Sequence, residues 1–283
     1  MPSSSWRDRS GRRRRTPSRV CVLLAALLAA ACVDAPVDWA APGSAVAPPG
    51  VEHVVVTPAG TLVADSLLAL ASRIAPPAGT ICAGSLRLAR AGATLHAVWW
   101  APRSDSGARL LSAHSATAGA TWSTPAPVDT LDRGVSGCRR PPPAIAADVA
   151  TGYVHVVYGL VAPEGTGLFF AHSMDGGATF HSPVAIVYGD RPARMSVASA
   201  GDLVAVAFED PNSAIPRIGL ALSTTMGHIF EHREIPVSDD NGAATQPSVA
   251  LDGHRIALAW EKRPAVLASS AAPVPIVRTG VVH

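Results

Sequence analysis

Beyond residue 80 the apolar positions fall in short runs broken by turn residues, with none of the 3.6-residue recurrence a helix would need. Four runs end in an aromatic: Leu95-His96-Ala97-Val98-Trp99, Val154-His155-Val156-Val157-Tyr158, Val204-Ala205-Val206-Ala207-Phe208 and Ile256-Ala257-Leu258-Ala259-Trp260. Each is rich in β-branched and aliphatic residues and reads as a strand. Behind the first three, a serine recurs 16, 15 and 15 residues after the aromatic, at Ser115, Ser173 and Ser223, spaced 58 and 50 apart. Two features repeating at a near-constant offset mark an internal repeat of about 50 residues.

The fullest copy of the turn after those strands is Ala171-His172-Ser173-Met174-Asp175-Gly176-Gly177-Ala178-Thr179-Phe180. A carboxylate at Asp175 can accept from the amides of its own turn, and the glycines supply positive φ. Thr179 and Phe180 open the return strand. The copy around Ser115 keeps Ser, Gly119, Thr121 and Trp122 but has Thr117 in place of Asp, and the copy around Ser223 keeps Gly227 and Phe230 with Thr225 there. The pattern Ser-x-Asp-x-Gly-x-Thr-Phe resembles the Asp box of the sialidase-like (BNR-repeat) β-propellers, with Ser173, Asp175, Gly177, Thr179 and Phe180 as its structural residues.

That resemblance implies an all-β fold of four-stranded antiparallel blades stacked around an axis. In the second repeat the strands are expected around Ala144–Ala147, at Val154–Tyr158, at Leu168–Ser173 and at Phe180–Val187. The fourth repeat stops after its third strand, near Pro275–Arg278, and the run Glu52-His53-Val54-Val55-Val56 has the character of the missing one. The expected architecture is four blades, closed by strands from both ends of the chain, or five if residues 58–80 add strands. Leu62 to Ile74 can be read as a short helix or a long loop.

Residues 1–31 stand apart. Seven arginines (Arg7, Arg9, Arg12, Arg13, Arg14, Arg15 and Arg19) precede an apolar stretch from Val20 to Ala31, the length of a signal-peptide core and too short to span a bilayer. Leu28-Ala29-Ala30-Ala31-Cys32 resembles a bacterial lipobox with Cys32 lipidated; ordinary cleavage after Ala31 is the other outcome. Without this segment, basic residues fall from 23 to 16 and acidic ones from 21 to 20, so the net charge changes from +2 to about −4. The basicity belongs to the leader and does not describe a nucleic-acid surface. Residues 32–50, rich in Pro, Ala and Gly, read as a tether, with the folded domain over 51–283. Cys82 and Cys138 lie at matching points of neighbouring repeats, where an oxidising compartment favours a disulfide over two free thiols. A membrane-anchored protein of a bacterial cell envelope, monomeric and without cofactor or metal, is the expectation.

The Asp box is a turn clamp, so Asp175 is not expected to react. Propeller sites form where loops entering the first strand of each blade meet those joining its second and third. That rule selects Arg139, Arg140, Arg191, Arg194 and the Asp239-Asp240-Asn241-Gly242 turn, with Arg103 and Asp105, Glu209 and Asp210, and Glu261 and Arg263. Arginines among carboxylates can hold an anionic ligand by paired hydrogen bonds, or can simply pair with one another. By resemblance, sialidases use an arginine triad with a Tyr–Glu pair and an acidic Asp. No such set can be assigned among Tyr153, Tyr158 and Tyr188, so the resemblance reaches the fold and the turn. His96 and His155 read as strand histidines, and His114 and His172 share the place before the turn serine. The expected function is a propeller that binds an anionic glycan or a protein without catalysis; the alternative is a sialidase-like glycoside hydrolase with a reduced site.

Overall fold

The computed structural model describes residues 35–41, 55–56, 62–63, 77–134, 137–191, 193–239, 241–263 and 273–283. From the N-terminus come β1 (Val37–Trp39) and a two-stranded hairpin, β2 (Val55–Val56) with β3 (Leu62–Val63). Blade 1 then holds β4 (Arg87–Ala91), β5 (Thr94–Pro102), β6 (Ala108–Ser115) and β7 (Ala126–Pro127). Blade 2 holds β8 (Ala144–Ala147), β9 (Val154–Ala162), β10 (Gly165–Ser173) and β11 (Val184–Tyr188). Blade 3 holds β12 (Met195–Ala200), β13 (Leu203–Glu209), β14 (Ile218–Ser223) and β15 (His232–Pro236). Blade 4 holds β16 (Ala243–Asp252), β17 (Arg255–Arg263), β18 (Val274–Val282) and, as its fourth strand, β1. All pairings are antiparallel, and in blades 1–3 neighbours in the sheet are neighbours in sequence. The propeller of four four-stranded blades is therefore the fold, with β8, β9 and β10 close to the expected bounds and β11 starting four residues later than expected.

The first strands β4, β8, β12 and β16 lie beside one another in that order. The second strands of blades 1–3 are buried on both faces: Val98 and Trp99, Val156 and Val157, and Val204 and Ala205 are all fully buried. Trp100 packs with Tyr158 and Phe169 between blades 1 and 2. Phe170, Phe208 and Phe230 fill the seam of blades 2 and 3. Leu220, Leu258 and Trp260 fill that of blades 3 and 4. At about 1.5–3 kcal/mol per large side chain buried, these seams are the main favourable contribution. Gly227 shows how tight they are. A Cβ there would sit 2.4 Å from the Phe170 ring, at a φ of +86°.

The serine turns are the most regular local feature. Each serine is buried, and its Oγ accepts from the amide of the glycine four residues on, at 2.9 Å (Ser115–Gly119), 2.8 Å (Ser173–Gly177) and 3.1 Å (Ser223–Gly227). In blade 2 the Asp175 carboxylate also accepts from the Ala178 and Thr179 amides at 3.0 and 2.8 Å and from the Thr179 hydroxyl at 2.6 Å. Where threonine replaces Asp, its hydroxyl takes over one of those bonds. Thr117 Oγ1 accepts from the Thr121 amide, and Thr225 Oγ1 from the Ile229 amide, both at 2.9 Å. The two copies have kept the clamp with a weaker, neutral acceptor.

Two expectations are modified. The strand completing blade 4 is β1, inside the stretch read as tether, and not Glu52–Val56. Val37, Asp38 and Trp39 pair with Val282, Val281 and Gly280, while Val55 and Val56 pair with Val63 and Leu62 in their own hairpin. Val37 is buried in the core of blades 3 and 4, and Arg278 lies over the Trp39 ring at 4.3 Å. Gly280 permits the approach, since a Cβ would stand 2.8 Å from the Asp38 carbonyl oxygen. Residues 1–34, Cys32 among them, and residues 64–76 lie outside the described ones. The disulfide is present: Cys82 and Cys138, 56 residues apart, join the approach to β4 with the 3-10 turn Gly137–Arg139. A loop of that size is worth about 4 kcal/mol in the chain-entropy account.

Replacing Val37 with Asp should lower stability by about 3 kcal/mol or more, because an unpaired carboxylate would enter the core. Thermal melting measures it, and an unchanged midpoint would show that β1 does not hold blade 4. A second outcome concerns the clamp. Partial desolvation raises the pKa of Asp175, but the Thr179 side chain and amide, the Ser173 hydroxyl and the Ala178 amide outweigh it and bring it down to about 2. The clamp is therefore complete above the ordinary carboxylate range and is lost as pH falls toward 2. Asp175→Ala should cost about 1 kcal/mol at neutral pH, and that difference should shrink when melts are repeated near pH 2.

Candidate functional site

At the end where chains enter the first strands, the structure separates arginines that look alike in sequence. Arg140 is structural. Its guanidinium makes a two-pronged contact with Asp132, donates to the Gly134 carbonyl at 2.8 Å, and lies over the Trp100 ring at 4.7 Å. Both side chains are nearly buried, at 6% and 8% exposure. Asp132 also accepts from the Gly134 and Val161 amides, so the pair ties the blade 1–2 connection to the top of β9. Its partner Asp132 was invisible to sequence reading, which has no local signal for a pair eight residues apart in irregular chain.

Arg103 pairs with Asp105 within its own exposed turn, where the Gly107 amide and then Arg103 hold the Asp105 carboxyl below its ordinary range. Asp210 accepts from the Asn212 amide at 2.9 Å and the Ser213 hydroxyl at 2.5 Å. Glu261 and Arg263 stand at the end of β17, opposite Thr245 and Ala243. Lys262 between them pairs with Asp239 at 2.7 Å. Asp240 lies outside the described residues, and among those described no three His, Cys, Asp or Glu side chains are placed to hold a metal.

Arg194 and Glu209 do come together. Glu209 accepts from the Arg194 amide at 3.2 Å and, through its other oxygen, from the Gln246 amide of blade 4 at 2.9 Å. Gln246 sits at positive φ, 58°, in the bulge between Thr245 and Ser248 that turns its amide toward Glu209. Arg87, which the sequence reading did not single out, joins them from the first residue of β4. Burial, and then the charge of Arg194, lowers its pKa. It donates to the carbonyls of Gly84 and Leu86 at 2.9 and 2.8 Å. Among the described residues neither Arg87 nor Arg194 has a carboxylate within ion-pair reach, although Glu209 lies beside Arg194. Its position at the entry of a first strand could have found Arg87, had β4 been placed.

At the same end a cleft of about 130 Å³ opens on blade 2 and its connection to blade 3, lined by Arg139, Arg140, Arg191, Asp190, Thr166 and Gly159 among others. Arg139 and Arg191 are exposed, and Arg191 donates to the Ser213 carbonyl at 2.6 Å. Above Gly159 there is open space. The disulfide at Cys138 anchors the turn that carries Arg139 and Arg140. Elsewhere, Asp129 is the described carboxyl that burial holds above its ordinary range. It lies next to Tyr158, which is fully buried and whose own ionisation burial suppresses. No substrate can touch that tyrosine in this arrangement.

No protein-family model matches the chain, and no curated protein matches its sequence. Among solved structures it is similar to a Hadza microbial sialidase, with 16% identity, a TM-score of 0.49, and coverage of 70% of this chain and 46% of that one. It is similar also to a Dyadobacter fermentans protein of unknown function (17% identity, TM-score 0.48, covering 67% and 50%). A third is Trypanosoma rangeli sialidase in complex with sialic acid (10%, 0.45, covering 74% and 36%). The chain spans half or less of the length of these proteins, and no residue role passes from them to it.

Replacing Arg140 with Ala would strand the Asp132 carboxylate in a buried place. A loss of about 3–5 kcal/mol is expected, as for any broken buried pair. Denaturant melts read it directly; a loss below about 1 kcal/mol would return Arg140 to the list of free cations.

Proposed function

We propose that this chain is an exported propeller module that holds an anionic ligand at the entry face of its first strands and does not turn it over. One observation carries the reading. Burial, and then the charge of Arg194 in blade 3, lowers the pKa of Arg87 in blade 1, and neither arginine is neutralised by an ion pair among the described residues. Two guanidiniums left in that state form a natural receptor for a carboxylate, sulfate or phosphate group, which would relieve their repulsion. Exposed Arg139 and Arg191 line the blade 2 cleft at the same end and add further cations there. The carboxylates nearby are already bonded to amides and hydroxyls of their own framework, as Glu209 and Asp210 are, which favours binding over acid–base work. The serine turns, as Asp boxes, fit a sialidase-like frame.

Export and lipid anchoring belong to the same reading. The arginine-rich start, the apolar run to Ala31 and Cys32 support it, and the Cys82–Cys138 disulfide suits an extracellular or envelope compartment.

Calorimetric titration with N-acetylneuraminic acid, a sugar bearing a carboxylate, tests the site. Binding should weaken at least about tenfold in Arg194→Ala and in Arg87→Ala, the size of one charged hydrogen bond. Hydrolysis of a fluorogenic sialoside by the parent and not by Arg194→Ala would replace the binding reading with the glycoside hydrolase. For the anchor, Cys32→Ser should move the protein from the detergent phase to the aqueous one when expressed in a bacterium; unchanged partitioning would rule out lipidation.

A further inference from the structure

At the opposite end of blades 2 and 3, three turn segments bring imidazoles into contact. His172 is the penultimate residue of β10, His181 leaves the Ser173 turn, and His228 lies in the matching turn of blade 3. His172 stacks on His181 with ring centroids 4.6 Å apart and meets His228 edge-on at 4.5 Å. His181 and His228 are themselves 6.3 Å apart. Tyr153 lies parallel to His172 at 5.9 Å and edge-on to His228 at 6.1 Å. His172 is only 7% exposed, and its Nε2 is buried with no hydrogen-bond partner, whereas His181 and His228 are exposed. The donors do not converge as a metal site would require. What they share is a seam: His172 and His181 belong to blade 2 and His228 to blade 3.

We propose that this imidazole stack is an acid-sensitive clasp on the seam of blades 2 and 3, closed while the rings are neutral and released as they gain protons. Neutral rings pack as ordinary aromatic contacts. A proton on either exposed ring sets a charge within 4.6 Å of the buried one, and a second sets two like charges 6.3 Å apart. The other groups facing His172 do not offset this. Tyr153, just before β9, His155 of β9 and Phe170 of β10 surround it, and the carboxylate that reaches the cluster, Asp148, acts on His155. Burial, then His228 and His181, holds His172 at about 4 against an ordinary 6.5. The sign follows. A ring whose folded pKa is depressed contributes stability that is complete above pH 6.5 and is lost as pH falls toward 4.

One bond across the same seam reports its opening. The Gly201 amide of blade 3 donates to Asp148 Oδ2 of blade 2 at 2.9 Å. Although burial raises the Asp148 pKa, hydrogen bonds from the Thr151 and Gly201 amides outweigh it and keep the carboxylate below its ordinary range. Asp148 therefore stays ionised at pH 5.5, and that bond does not fail through its own acceptor. The Val249 amide, bonded to Ser196 Oγ across the blade 3–4 seam at 3.1 Å, is the internal control.

Amide hydrogen exchange of the full chain at pH 7 and 5.5, corrected for intrinsic rates, makes the test. Protection at Gly201 should fall at least about tenfold, the factor given by one pKa unit of linkage, while Val249 keeps its own. In the exposed-site variant His181→Gln with His228→Gln the Gly201 loss should shrink, burial of His172 keeping the remainder, and in His172→Phe it should shrink further, to what the buried His155 carries. Equal losses at Gly201 and Val249, no loss in the parent, or a full loss in the double variant would each overturn the clasp.

Discussion

A strand buried on both faces cannot be satisfied by its own sheet, and this constraint governs the molecule. Val156 and Val157, adjacent in β9, point to opposite sides of blade 2, and both are fully buried. One must face blade 1 and the other blade 3. The same holds for Val204 and Ala205 in blade 3, so each blade stabilises its neighbours and none is complete alone. The serine turns, the glycines at the seams and the Cys82–Cys138 link fix the angle and spacing at which this stacking occurs.

Much of that frame could be read from the chain because its causes are local. A strand's composition and a turn's need for an acceptor and a glycine sit within ten residues of each other, and repetition raised them above chance. The pairing of Cys82 with Cys138 was legible for the same reason, as equal places in successive repeats. The closing strand was not. Glu52–Val56 has the stronger strand composition, but three residues, Val37-Asp38-Trp39, gain the place. They fit the core with Val37, supply Trp39 to Arg278, and meet a glycine at position 280 that admits them. Which strand completes a sheet depends on its partner's surface, and composition does not contain that surface.

The arginines teach the same lesson at the level of chemistry. Arg140 and Arg194 both precede a first strand, and nothing in their immediate neighbours distinguishes them. Their environments do. One guanidinium is buried against Trp100 and held by Asp132, while the other belongs to an exposed residue with no ion pair among the described residues. An ion pair is a property of two places in space, so the sequence could group the cations at one end of the propeller without saying which of them were already engaged. The threonines of the two altered turns run the other way: a residue change that looks like loss in sequence preserves the hydrogen bond in space.

The pairing of β1 with β18 also sets the order in which the molecule can be made. Asp38 and His283, in contact at 2.9 Å, are 245 residues apart. Strand β1 therefore has no sheet partner until β18 has been made, and blade 4 cannot close before then. Contacts of such long range slow folding, because the entropy of closing the loop is lost before the contact stabilises anything. The first three blades can assemble by neighbour-to-neighbour growth, whereas the fourth must await β18.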